Sequence, residues 1–422
     1  MVSTWTARQP LPRHTVADNE NRSPRSLSRR RLLGGGVAAL GVASVGAATG
    51  YGIVGDRAER TATGSETVPW RGLHQAGVDT VPPQAHSMFI GLNLQDRVGR
   101  GELVGILKVW TEDIGRLTAG APALADTEAE LALRPARLTV TVGLGPGVFD
   151  AIDLPDRRPS WLAPLPAFGI DRLEPGFTGG DLLLQVCSDD PVTVAHAVRV
   201  LTKNVRSLVT IAWTQRGFRR SRGTEESGTT MRNLMGQVDG TVNPEAGSTD
   251  FDGLVWDDGT EQPWMKHGTS MVLRRIRIEM DTWDELERPG RELSVGRTLD
   301  TGAPLTGTDE FDEADFDATD RFGIPVIPPS SHIARARHVH DGERIFRRAY
   351  NYDDPPAAGS LSNSGLLFAS YQRDVLTQFL PIQQRLDEFD ALNEWTTPIG
   401  SAVFAILPGV VDDGYLGQGL LG

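Results

Sequence analysis

The sequence predicts an α+β fold of two ferredoxin-like halves, in which antiparallel sheets carry peripheral helices. Three observations predict it. Short apolar strands alternate with amphipathic helices; the first part runs strand, helix, strand, strand, helix, strand; and a later region echoes that pattern.

In chain order, Met88 to Leu94 reads as a strand, and Leu103 to Leu117 has helical spacing of apolar residues. Leu138 to Val142 alternates as a strand does, and Leu182 to Cys187 is a second apolar run. A helix follows from about Pro191 to Lys203, with Val194, Val198 and Leu201 on one face, and Leu208 to Trp213 closes the unit. The echo begins at Met271 to Met280, another strand, with a helix near Thr282 to Glu287. Leu366 to Tyr371 then leads into a helical stretch that ends at Phe389. Pro381 lies inside that stretch, so the helix is expected to start late or kink there. Leu183 to Pro191 and Leu367 to Asp374 are both apolar strands running into a polar turn and a helix, as two copies of one unit require.

The expected organisation is a signal segment over 1–55, a linker over 56–84, a first half over 85–222 and a second over 223–415. Between the second-half strands lies an irregular insertion, roughly Gly290 to Gly342, of a length that is usually functional or disordered. Its acidic part, Asp309 to Asp320, lacks the alternating ligands and central glycine of a calcium loop and reads as solvated surface. Gly143 to Gly147 resembles a phosphate loop but has no lysine, so it reads as a turn after a strand.

The first stretch reads as an address. Seven arginines fall within residues 1–31, an almost uncharged Gly, Ala, Val and Leu run follows, and Ser28-Arg29-Arg30-Arg31-Leu32-Leu33 stands at the junction. That arrangement resembles a twin-arginine export signal, with a retained membrane anchor as the alternative. The expectation is passage through the twin-arginine machinery to the periplasm, cell envelope or exterior. Export of a folded protein also hints at a cofactor inserted beforehand.

Composition excludes other classes. The formal net charge of -13 repels phosphate backbones, so nucleic acid is not an expected partner, and loss of the basic leader leaves about 18 negative charges. Cys187 is the one cysteine, which rules out intramolecular disulfides and cysteine-held zinc or iron-sulfur centres; in its apolar run it reads as a buried, inert thiol. Whether the chain forms a homo-oligomer is left open by its residues.

Gly236-Gln237-Val238-Asp239-Gly240-Thr241 places an acid between glycines, where the backbone turns tightly and approaches a flat ligand. Alone it is a turn. Further along come Ser331-His332-Ile333-Ala334-Arg335 and Ile345-Phe346-Arg347-Arg348, a histidine followed fifteen positions later by an arginine. Together with Gly180 to Arg199, Val272 to Arg277, Gly302 to Gly307, Gln378 to Gln383 and Gly400 to Phe404, these segments in this order resemble the dye-decolourising peroxidase family in its exported branch. The resemblance covers nearly the whole chain after the leader.

It implies a pair of ferredoxin-like halves of the dimeric α+β barrel type, with one haem b in the second. Carried over by position, His332 matches the iron ligand, Asp239 the distal acid of the glycine motif and Arg347 the distal arginine. Gly236, Gly240, Thr241 and Arg275 are further cofactor-contact candidates, Arg275 toward a haem propionate. An acidic acceptor behind His332 is expected but not identifiable, and His338 and His340 remain rival ligands. Imidazole is a good axial donor to haem iron, a carboxylate moves the peroxide proton, and an always-charged guanidinium stabilises the departing oxygen. Hydrogen peroxide and an organic donor such as a dye or phenol are the implied substrates. Aspartate's reference pKa of about 3.9, against about 6.5 for histidine, leads to an expected acidic optimum. The rival readings are a haem-binding protein that releases iron and a scaffold without cofactor.

Overall fold

The computed structural model describes residues 63–422; the signal segment and the start of the linker lie outside the described residues. Among them, nine strands form one antiparallel sheet: β1 (His86–Leu94), β2 (Thr139–Leu144), β3 (Leu182–Ser188), β4 (Val209–Phe218), β5 (Thr269–Ile278), β6 (Phe346–Arg347), β7 (Tyr350–Asp353), β8 (Ser364–Gln372) and β9 (Thr396–Ile406). The first half is ordered β4-β1-β3-β2 and the second β9-β5-β8-β7, so in each the first strand lies between the third and fourth. This is the ferredoxin-like order, used twice.

The halves join edge to edge, through Gly143 and Leu144 of β2 against Ile406 and Ala405 of β9, and through Phe218 of β4 against Asn351 of β7. Because β5 pairs with both β8 and β9, the strands other than β6 close into a barrel, and β6 extends the β7 line along β8. Closure leaves no long unpaired edge.

Strand alternation then sorts the core. Phe89, Leu183, Met271, Leu273, Tyr350, Tyr371 and Phe404 fill the barrel interior. Ile90, Leu92, Val142 and Leu184 face outward and are covered by two helices, Arg100–Thr118 and Pro191–Val205. The first offers Leu103, Ile106, Leu107, Trp110, Ile114 and Leu117 on one buried face. The second starts where Asp190 accepts the Val192 and Thr193 amides, with Pro191 in the first turn. Cys187 is buried in the barrel, accepts a 3.5 Å hydrogen bond from Tyr350 Oη, and burial pushes its thiol pKa up, in keeping with an inert role.

Several elements differ from expectation. Residues 70–84 are built into the fold: Gln75 Nε2 donates to the carbonyls of Val142 and Leu407, each at 2.8 Å, and Val78 is fully buried. The helix expected near 282–287 is a single helical turn placed slightly earlier, Met280–Trp283, and a second helix, Arg288–Val295, runs into the stretch expected to be irregular. At Pro381 the chain does start its helix late: a wide π turn, Val375–Phe379, precedes Leu380–Phe389, so the missing proline amide falls in the first turn. No described helix is long and apolar enough to cross a membrane.

Candidate active site

The site is assembled by the long excursion that links β5 to β7 and by the turn that precedes β5. Residues 231–239 form a tight hairpin, in which the Asn233 amide donates to Gln237 O and the Asp239 amide to Met231 O. Gly236 takes φ +84° and Gly240 φ +136°, conformations that a side chain would strain. Arg232 fastens the hairpin to the excursion by donating to the carbonyls of Gly236, Leu299 and Asp300. Gly302 leaves room for Val238, whose Cγ2 would stand 2.7 Å from any Cβ there.

The hairpin delivers Asp239 to Arg347: Nη1 donates to Oδ1 at 3.0 Å across 108 positions of sequence. Asn243 secures the same junction through the backbone, accepting from Arg347 N at 3.0 Å and donating to Arg347 O at 2.7 Å. Both charged side chains are mostly but not wholly buried, so the pair faces a space that solvent or ligand reaches. Half-buried Ile276 and Phe368, packed with Met231, Ala349 and Leu366, supply an apolar lining nearby.

His332 opens a one-turn helix, His332–Ala336. Its Nδ1 lies 2.6 Å from Asp390 Oδ2, while Asp390 Oδ1 accepts the Leu392 amide. Burial works against charge on the imidazole, but the Asp390 carboxylate more than offsets that and holds its pKa above the usual histidine value. The proton therefore belongs on Nδ1, toward Asp390, and Nε2 has no partner among the described residues. A third of the side chain is exposed, and the charges of Arg347 and Asp239 are felt at the ring. An imidazole with one nitrogen fixed by a carboxylate and the other free and accessible fits axial ligation of haem iron.

The expected residues thus divide. Asp239, Arg347 and His332 converge, and Gly236 and Gly240 shape the hairpin beside them. Thr241 donates its hydroxyl to Glu310 at 2.9 Å, which makes it an anchor for the excursion. Arg275 is corrected. It pairs with Leu367 in register, whereas Arg347 pairs with Ser370, so strand alternation puts Arg275 on the barrel-interior face, opposite to Arg347. There it lies 3.6 Å from the Tyr352 ring centre and bonds Asp354 at 2.6 Å. His338 and His340 are about half and two-thirds exposed and only approach Asp341 and Glu343, at 3.9 and 3.8 Å, so neither has a ring held by a carboxylate as His332 has. Asp390, the acceptor that the sequence left unnamed, and the Asn243 clamp are the residues that sequence reasoning missed.

Residues 75–219 match the Dyp-type peroxidase N-terminal family model and residues 230–411 the C-terminal one. This chain belongs to the Dyp-type peroxidase family. It is an oxidoreductase of the haem peroxidase class, with peroxide as acceptor. A dye-decolorizing peroxidase of Thermobifida fusca is 39% identical over 81% of this chain and 82% of its own. A deferrochelatase of Yersinia pseudotuberculosis is 34% identical over 96% of each. Among solved structures, a DyP-type peroxidase from Cellulomonas bogoriensis is 54% identical with a TM-score of 0.82, covering 85% of this chain and 99% of that one. Ferric DtpA from Streptomyces lividans is 36% identical with a TM-score of 0.82, covering 86% and 99%.

Proposed function

We propose that His332 would hold the haem iron and that Asp239 and Arg347 would handle hydrogen peroxide. The observation that carries this is the Asp239–Arg347 contact beside an imidazole whose Nδ1 is already committed to Asp390. Haem, when bound, supplies the electrons that reduce peroxide and holds the oxidising equivalents for the donor. Asp239 takes a proton from one peroxide oxygen and returns it to the other, which leaves as water. Arg347 donates hydrogen bonds to the departing oxygen and offsets its developing charge. Asp390 keeps His332 oriented and more basic. Gly236 and Gly240 hold the hairpin that presents the acid, and the donor is a bulky reductant such as a dye or phenol. The basic leader with Ser28 to Leu33 supports export through the twin-arginine route, to the periplasm, envelope or exterior.

The test is an absorption spectrum of the haem-loaded protein before and after one equivalent of peroxide. The Soret band is expected to move at once in the wild type and to stay in Asp239→Ala and Arg347→Leu. A His332→Ala protein with the wild-type spectrum would end this reading. Dye oxidation is expected to peak at acidic pH, and a maximum above neutrality contradicts a carboxylate proton carrier. The similarity to deferrochelatases along almost the whole chain supports a second reading, release of iron from haem. Recovery of metal-free porphyrin after anaerobic incubation with a reductant separates the two.

A further inference from the structure

Residues 168–171 belong to the first half of the chain yet touch both walls of the site in the second. One wall is the outer face of β5 and β8. Arg274 stands in register with Phe368, and Arg347 with Ser370 two positions on, so these four side chains share a face. The Arg274 guanidinium is gripped by both oxygens of Asp171, with Nη1 donating to Oδ2 at 3.2 Å and Nη2 to Oδ1. The two side chains are 1% and 8% exposed, which makes the pair the most deeply buried Arg–Asp bridge among the described residues. The Phe168 ring lies 5.5 Å from the guanidinium.

The other wall is the helix Leu380–Phe389, whose end presents Asp390 to His332. One turn earlier, Asp387 Oδ1 accepts the Ile170 amide at 3.0 Å. Asp390 caps that helix three positions after Asp387, so the Ile170 and His332 attachments are both made at its C-terminal end. Four residues from the other half therefore tie the strand face that carries the distal arginine to the helix that holds the proximal histidine in place.

We infer that this segment is a latch that sets how firmly haem is retained: Asp171 and Asp387 are positioning residues that keep the two walls of the pocket from parting. The inference rests on His332 as the haem ligand. A buried two-point ion pair on one side and a charged hydrogen bond on the other leave a four-residue bridge little slack. Release of a group ligated by His332 then requires one attachment to open first.

The experiment follows haem transfer from the loaded protein to excess apomyoglobin by the change in Soret absorption. Asp387→Ala, at a partly exposed position, is expected to release haem about tenfold faster, the effect of losing one charge-assisted hydrogen bond. Asp387→Asn keeps an accepting oxygen for the Ile170 amide without the charge and is expected to release haem more slowly than Asp387→Ala, between that variant and the wild type. Asp387→Ala releasing at the wild-type rate overturns the latch, and so does an Asn variant as fast as the Ala variant. A His332→Ala control separates the two levels: if it keeps the wild-type spectrum, the ligand assignment has failed, whereas a lost spectrum with unchanged Asp387→Ala release condemns the latch alone.

Discussion

The two halves share one strand order but treat the outer face of their sheet differently. In the first, the connection from β1 to β2 contains the helix Arg100–Thr118, which lays Trp110 and its apolar neighbours over the strands and seals them. In the second, the equivalent connection from β5 is the long excursion that carries His332 and returns through Arg347. Where the first half has one long helix, the second has an excursion of short helices and turns that brings the histidine and the arginine to the site. The other crossover helix survives in both, as Pro191–Val205 and Leu380–Phe389, and in the second half it ends on Asp390, behind the histidine. The repeated strand order is a common frame, and the connection after the first strand is where the two halves differ.

That comparison is broken first by changes at the open face. His332→Ala is expected to abolish the ligated-haem spectrum and reduce turnover by more than about a hundredfold, exceeding what loss of an outer partner costs. Retained turnover would mean that the site does not depend on His332. Asp239→Ala and Arg347→Leu come next, each lowering kcat/KM for peroxide by about a hundred- to a thousandfold while the resting protein keeps its haem. Stopped-flow spectroscopy reads this, and equal losses in haem content would point to structure instead of proton transfer. Asp390→Asn is milder, roughly ten- to a hundredfold in haem affinity or activity, because Nδ1 keeps an acceptor without a charge.

The closed face is expected to answer in stability. Trp110→Ala empties a fully buried site and removes the hydrogen bond from Nε1 to Leu201 O, so denaturant melts should fall by about 3–5 kcal/mol while the Soret position is unchanged. The smallest effect lies at Asp113 on the same helix. Burial, partly countered by the Asn204 hydrogen bond, holds its carboxyl above the ordinary range, so the folded state favours the proton. Its contribution to stability is full below the unfolded value of about 3.9 and fades as pH rises through the folded one. Asp113→Asn should therefore raise the melting temperature at neutral pH relative to the wild type and lose that advantage in acid; a gain that grows in acid would contradict the sign.

Legibility followed burial pattern. β1 and β3, with their helices, were readable because apolar runs ended in clear polar turns. β9 was not read as a strand: Pro398, Gly400 and Ser401 break its apolar run, whereas β3, buried on both faces as well, is almost continuously apolar. β7 spans only Tyr350–Asp353 and has too few residues for any period. Arg275 was misplaced because its neighbours Arg274 and Arg277 look alike in sequence, and a register difference of one residue reverses the face.

By itself the sequence determined the duplicated α+β plan, the glycine-flanked acid, the histidine and the arginine, since residue type and local spacing are encoded along the chain. Only the tertiary structure decided that Asp390 stands behind His332, that Asn243 clamps Arg347 and that Arg275 turns into the barrel. Those contacts join positions 58 and 104 residues apart or depend on strand register. Nothing local encodes a partner that far along the chain; barrel closure and the course of one long excursion bring the groups within hydrogen-bond reach.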